Sequence, residues 1–441
     1  MIASPALKTL KGFFSKASVE RCSAAFGDPE WLRAERLKAW EFFDKNGLDG
    51  AFSGARWLAE VKNAGAWALD PGEKLAFPAA FSPGLQEGDW GELSGSRAFG
   101  CEEDFGATLL DEEAKSAGVV WCSLKEALRS HPELLRKHLF SRTAAQETSF
   151  AALNAAYFGQ GTFLYVPKNV RLTKPLRSVG LHTGGHAGFF PRMLAIIGQG
   201  SEVTLLDEIH SAGSAPGFCS AVSELVLEQG AHLNSISFQD LNTASGAVSR
   251  QSTVLSRDAR LYTLAIVTGA AWSSSALGSR LEGEGAQLDL LGLLLGNGSQ
   301  KIEIRTLQDH VGRSGQSDAL VKSILRGKAR SYFDGVVKIY KSGQNSNAFQ
   351  SNPNLLLSSE AKAESVPTLE IEADDVACKH AASIGSIDED EKFYLLSRGV
   401  PLRETEAMIV EGFAAELARR LPNASLQERF VQILSNLAAR S

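Results

Sequence analysis

The stretch Leu369-Glu-Ile-Glu-Ala-Asp-Asp-Val-Ala-Cys-Lys-His380 gathers several groups capable of metal chemistry. If it runs extended, Glu370, Glu372, Asp374, Cys378 and His380 share one parity and therefore one face. A thiolate and an imidazole two residues apart form a soft-to-borderline donor pair suited to iron, copper or zinc, and the flanking carboxylates would recruit a divalent ion. Two such ligands do not close a four-coordinate site, so a metal held here needs donors from elsewhere, such as another chain. The plainer reading is a small buried cysteine and a satisfied histidine at a strand end.

Other groups carry less. His182-Thr-Gly-Gly-His186 offers two imidazoles in a glycine-rich loop, which reads as a surface loop with two exposed histidines. Asp309 and His310 are adjacent, and adjacent strand residues face opposite ways, so they do not pair simply. Phosphate-loop, dinucleotide, nucleophile-elbow and zinc-protease motifs are missing. The net charge of −6 gives no basic domain for nucleic acid, and 44% apolar content excludes a disordered chain. No apolar run approaches the ~18 residues of a membrane span. Five cysteines without a CxxC pair argue against a disulfide framework. Lys8, Lys11 and Lys16 make a basic start that lacks a secretory signal's apolar stretch, so a cytoplasmic location is expected.

Three zones must position these groups. Residues 1–147 read as helix-rich, with Trp31, Ala34, Leu37 or Lys38, and Phe42 near helical spacing, a Gly/Pro-rich stretch of loops or irregular strands from Gly65 to Gly100, and further helices over Ser123–His131 and Pro132–Phe140. Residues 148–386 carry short aliphatic runs punctuated by turns. A turn, a small residue and an aliphatic recur at Gly200-Ser-Glu-Val203, Gly230-Ala-His-Leu233, Asp258-Ala-Arg-Leu261 and Gly285-Ala-Gln-Leu288, separated by 30, 28 and 27 residues. A weaker echo at Gly327-Lys-Ala-Arg330 breaks the register. Within this zone Asn-Gly and Asp-Gly hairpin signals are confined to Asn297-Gly298 and Asp334-Gly335. The pattern favours a stacked parallel β-helix over a sandwich. Residues 387–441 return to helix, with Ile409, Phe413, Leu417 and Leu421 on one stripe and Leu426, Phe430, Leu434 and Leu437 on the next.

Several separated segments resemble the SufB/SufD family. They are Ala152-Leu-Asn-Ala-Ala-Tyr-Phe158, Phe163-Leu-Tyr-Val-Pro167, Tyr332-Phe-Asp-Gly-Val-Val-Lys338, Gln350-Ser-Asn-Pro-Asn-Leu-Leu-Leu-Ser358, the 367–380 run, and Phe393-Tyr-Leu-Leu-Ser-Arg-Gly399, with Trp31-Leu32 and Arg36 upstream. The Asp-Asp-Val-x-Cys-x-His run is similar to the SufD form within the family. The chain departs from it at Lys379 and at Ala381, where the family usually has serine and glycine.

The resemblance implies a mainly β protein, a right-handed parallel β-helix core flanked by N-terminal and C-terminal helical domains. It implies a non-catalytic scaffold subunit of iron–sulfur cluster assembly that pairs with SufB through the β-helix and carries a SufC ATPase on its C-terminal helices, which are expected to cover the exposed end of the β-helix. His380 would donate to a transient iron–sulfur cluster at the SufB interface, with Cys378 as the second candidate. No stable cofactor is expected in the isolated chain, which could form a homodimer. The alternative is a parallel β-helix polysaccharide lyase or hydrolase, whose carboxylates would act in an external groove.

Overall fold

Between the zones that read as helical, the chain winds through successive coils, each giving one strand to each of two sheets. The computed structural model describes residues 14–51, 92–100, 108–182, 188–421 and 424–439. Among these, both sheets are ten-stranded and alternate in sequence order. Pairing is parallel throughout 190–300, with Glu202–Ser211, His232–Leu241, Arg260–Gly269 and Gln287–Gly296 stacked in the first sheet. Phe218–Leu227, Gly246–Leu255 and Trp272–Leu281 stack in the second. The core is thus a parallel β-solenoid of about 8 turns with helices at both ends of the chain.

The recurring turn is the corner before each first-sheet strand. Gly200, Gly230, Asp258 and Gly285 have φ of 67, 64, 55 and 72°, and the small residue that follows each is buried beneath the corner. The series does not stop there: Ser314 (φ 56°) and Asn345 (φ 62°) occupy the same place in the next two coils, 29 and 31 residues on. Each of these six residues donates its backbone N–H to a carbonyl one coil later, ending with Asn345 to Asp375. Gly327, expected as an echo of this series, belongs to the opposite corner. It stacks on Gly298 and precedes a second-sheet strand, Arg330–Ile339. Both corners demand a left-handed residue, so the sequence alone does not tell them apart. Asn297-Gly298 is therefore a corner, and Asp334-Gly335 lies inside a strand.

Alternate residues of every strand point into the lumen or out to a helical layer. The lumen packs Leu205, Leu233, Leu261 and Leu288 against Leu225, Leu255 and Leu281. Outside the second sheet, Phe218, Val226, Val254 and Trp272 meet the N-terminal helices through Leu32, Phe150 and Leu153. Outside the first sheet, Leu206, Leu264, Leu291 and Leu320 meet Val410, Leu417, Phe430 and Leu434. The C-terminal helices therefore cover a sheet face and leave the end of the solenoid open, contrary to the expectation that they cover that end.

The expected helix stripe holds in the last helix. It holds in part in the one before it, where Leu417 and Leu421 are buried and Ile409 and Phe413 pack at the edge of the same cluster, and is rotated in the first. In Glu30–Ala51 the buried set is Leu32, Arg36, Ala39, Trp40 and Phe43. In Leu402–Arg420 it is Thr405, Val410, Ala414 and Leu417. In Ala424–Ala439, Leu426, Phe430 and Leu434 are buried as expected. The early Gly/Pro-rich stretch falls mostly outside the described residues, as do Lys8 and Lys11. Its last part, Gly95–Gly100, is a strand of the first sheet, and Val120–Ser123 joins the second.

Candidate functional site at the open end of the solenoid

The expectation of one extended segment from 369 to 380 does not hold. Lys362–Ile371 is the last strand of the second sheet, and Val376–Ser386 is the last of the first. A corner at 372–375 lies between them, anchored by buried Ala373 and by the Asn345 N–H on the Asp375 carbonyl. Glu370 therefore lies on a different sheet from Cys378 and His380. It faces outward and accepts from Lys338 at 3.1 Å. Glu372 and Asp374 are exposed corner residues. The shared carboxylate face is lost, and the thiol–imidazole pair survives.

Cys378 and His380 keep the lumen-facing parity of their strand. Cys378 registers with buried Ala348 and packs against the buried cluster of Val337, Ile339, Ala348 and Ala373. Burial pushes its thiol pKa up, while a backbone hydrogen bond from Ala348 works the other way. His380 registers with buried Gln350, whose Nε2 donates to the Gly335 carbonyl at 3.2 Å. His380 itself is exposed, because no further coil covers the lumen here. Lys379 points outward, as expected. Ala381 has no positive φ and sits in extended backbone opposite Ser351, so the missing family glycine leaves no strain.

Two coils deeper the lumen is polar. His310 Nε2 and Ser317 Oγ lie 2.7 Å apart, and Gln308 Nε2 donates to the same oxygen at 2.6 Å. Burial drives the His310 pKa down to about 4, so the ring is neutral at physiological pH. Its sequence neighbour Asp309 faces the other way, toward Arg280, as the strand alternation required. His182, expected as one of two exposed loop histidines, is instead fully buried at a strand end, its ring against the Gly217 backbone. His186 lies outside the described residues.

The last coil also exposes both sheet edges. Lys362 and Glu372 donate inward to Ala329 and Ile339. Residues of the same parity do likewise, so 363, 365, 369 and 371 present their N–H groups outward, with a gap at Pro367. In the other sheet Asn347 donates inward to Gly315. Carried through the register to the last strand, this turns the backbone groups of Cys378, His380, Ala382 and Ile384 toward the open edge. Ile371 and Ile384 are 41% and 51% exposed on these two last strands. Among the described residues no three His, Cys, Asp or Glu side chains converge as a metal site. Cys378 and His380 stand here beside an open edge.

A second exposed apolar set lies on the C-terminal helices. Phe393 and Tyr394 in the helix Glu389–Ser397, and Leu402 and Met408 in the next, are 72%, 56%, 51% and 50% exposed. The sequence stripes missed them, because those stripes are consumed in packing against the chain's own sheet. No described helix is long and apolar enough to cross a membrane.

The described residues thus form a two-sheet parallel solenoid with helical layers on its faces and a thiol–imidazole pair at an uncovered end. The family model for the SUF system FeS cluster assembly SufBD core domain matches residues 181–413, and that for the SufBD N-terminal region matches 87–178. The chain belongs to the SufBD family of iron–sulfur cluster assembly proteins. It is 28% identical to the iron-sulfur cluster assembly protein SufD of Bacillus subtilis over 74% of this chain and 75% of that protein. It is 29% identical to a SufBD family protein of Pyropia yezoensis over 72% of this chain and 67% of that one. A SufBD family protein of Staphylococcus haemolyticus matches 90% of the chain at 25% identity.

Proposed function

We propose that the chain is a non-catalytic, SufD-like scaffold subunit acting in the cytoplasm, which pairs with a SufB-type partner at the open solenoid end. His380, with Cys378 second, donates there to a nascent iron–sulfur cluster. The observation that carries this reading is the uncovered last coil. It combines two unpaired sheet edges, the exposed Ile371 and Ile384, and a thiol–imidazole pair that is incomplete within one chain. Long unprotected edges invite strand addition, so a partner strand is the natural cover. The partner would bring the missing donors, and the cluster is cargo rather than a resident group. We assign the SufC-type ATPase to the exposed set of Phe393, Tyr394, Leu402 and Met408.

The test is anaerobic co-expression with candidate partners, followed by subunit stoichiometry and iron and sulfide content. His380→Asn should leave the complex intact and lower cluster content at least tenfold, with a smaller loss for Cys378→Ser. Wild-type cluster content in His380→Asn, with all subunits present, places the donors elsewhere. A homodimer on the same edges is the outcome expected when the partner is withheld. The polysaccharide lyase reading is not favoured, since Glu370, Glu372 and Asp374 do not converge on an external groove.

A further inference from the structure

The C-terminal helices seal the middle of the first sheet's outer face, where Leu206, Leu264, Leu291 and Leu320 are packed beneath them. Where the same strands end, the seal is incomplete. A cavity of about 420 Å³ remains there, with Val410 of Leu402–Arg420 and Leu434 of Ala424–Ala439 forming its helical wall. That volume lies in the range of small-molecule sites.

The cavity is polar at one end and apolar at the other. Asp240 and Thr268 line the polar end, on neighbouring strands and in register. Leu295 and Ile324 continue the floor on the next two strands, also in register, and Leu357 adds to the apolar end. From the strand of Asp240 to that of Ile324 is three steps of ~4.8 Å, or about 14 Å.

Most polar side chains of the lining are already committed. Asn242 Nδ2 donates to the Gly213 and Ala215 carbonyls at 2.8 and 2.9 Å. Gln300 donates to the Ala270 carbonyl at 2.9 Å and accepts from the Asn297 N–H at 2.7 Å. Arg326 donates to Glu406 at 2.9 Å, so its charge is offset, and the Asp240 carboxylate sets the sign at the polar end. Thr268 differs from its neighbours. It is only 7% exposed, lines the cavity, and its hydroxyl bonds to no described residue. A carboxylate and a hydroxyl one strand apart offer acceptors to a common head group. An ammonium, with three donors and no acceptor, satisfies both, whereas a carboxylate head would face the charge of Asp240.

We propose that this cavity is a binding site for a small amphipathic amine. Its ammonium lies between Asp240 and Thr268, and its aliphatic body lies over Leu295 and Ile324, beneath Val410 and Leu434. The site uses none of the side chains placed at the open end of the solenoid, so it stands or falls independently of the scaffold reading.

The test is calorimetric titration of the full chain with n-octylamine, 1-octanol and octanoate, which share a chain length and differ in the head. Octylamine should bind at least tenfold more tightly than octanol, and octanoate more weakly than either. Asp240→Asn should lower octylamine to the affinity of octanol and leave octanol unchanged. Leu357→Trp fills the apolar end and should abolish binding of all three; Leu295→Trp serves if the first variant is insoluble. Equal affinity for the three heads would show an apolar gap without a head-group site and overturns the proposal. Tighter binding of octanoate, or no saturable binding of octylamine, overturns it as well. Octylamine binding that survives unchanged in Asp240→Asn or in a folded, filled variant refutes the assigned position.

Discussion

Glu224 ties the N-terminal helical layer to the second sheet, and removing its charge should be among the most damaging single changes in this chain. The side chain is fully buried and accepts from the backbone N–H groups of Phe140, Arg142 and Thr143 at 3.0, 2.9 and 3.1 Å. Arg192, also buried, donates to it at 2.6 Å and to Asn154 at 2.9 Å, with its guanidinium over the Phe140 ring. Burial works against the Arg192 charge, and Glu224 opposes that effect. Phe140 itself sits at φ 64°, a strained conformation that these contacts hold in place. Glu224→Gln keeps the shape but leaves a buried cation without its counter-charge, costing about 3–5 kcal/mol. Its amide NH₂ also turns away at least one backbone donor, adding about 1–3 kcal/mol. Arg192→Met alone should cost about 3 kcal/mol, since Glu224 retains three amide donors. The double variant removes both charges, so it should cost about 2 kcal/mol less than the two singles together. Urea unfolding of the four proteins measures this cycle, and limited proteolysis near Ser141 reports the local loosening. Additivity within about 0.5 kcal/mol would show that the pair is not coupled and that the reasoning is wrong.

The Asp207 carboxyl is pushed up to about 6 by burial. The folded state therefore binds its proton more tightly than the unfolded chain does, and this group's contribution to stability falls as pH rises from about 4 to 6. Asp207→Asn should match the wild type near pH 4 and exceed it by about 3 kcal/mol above pH 6.5, as read from denaturation midpoints across pH; a pH-independent difference contradicts this. Ala382→Pro removes an N–H that faces the open edge while sparing the inner ladder, so partner association should weaken at least tenfold in a pull-down with unchanged melting temperature. Equal recovery of the partner would place the interface elsewhere. Phe393→Asp with Leu402→Asp should abolish ATPase copurification and leave solenoid pairing intact, whereas undiminished ATPase in the purified complex would refute the docking assignment.

Much of the fold was legible because it rests on local sterics. A left-handed corner followed by a small buried residue and an alternating strand recurs once per coil, and the sequence shows it wherever glycine or Asp258 fills the corner. Ser314 and Asn345 fill it without that signature, so two coils went unseen, and Gly327 looked like a member of the wrong series. Period-two alternation correctly set Asp309 against His310 and put Cys378 with His380. It did not reveal the corner at 372–375, because nothing local separates a bent acidic run from a straight one; the stacking of Asp375 on the Asn345 corner decides it. The stripes of the C-terminal helices were found, with Leu417, Leu421, Leu426, Phe430 and Leu434 buried, while that of the first helix was rotated, since the face that is buried depends on what lies beneath. The Glu224 tie, the burial of His182 and the cavity beneath the C-terminal helices join residues tens of positions apart in the chain. Such contacts are set by coil stacking and layer packing, and only the tertiary structure determined them.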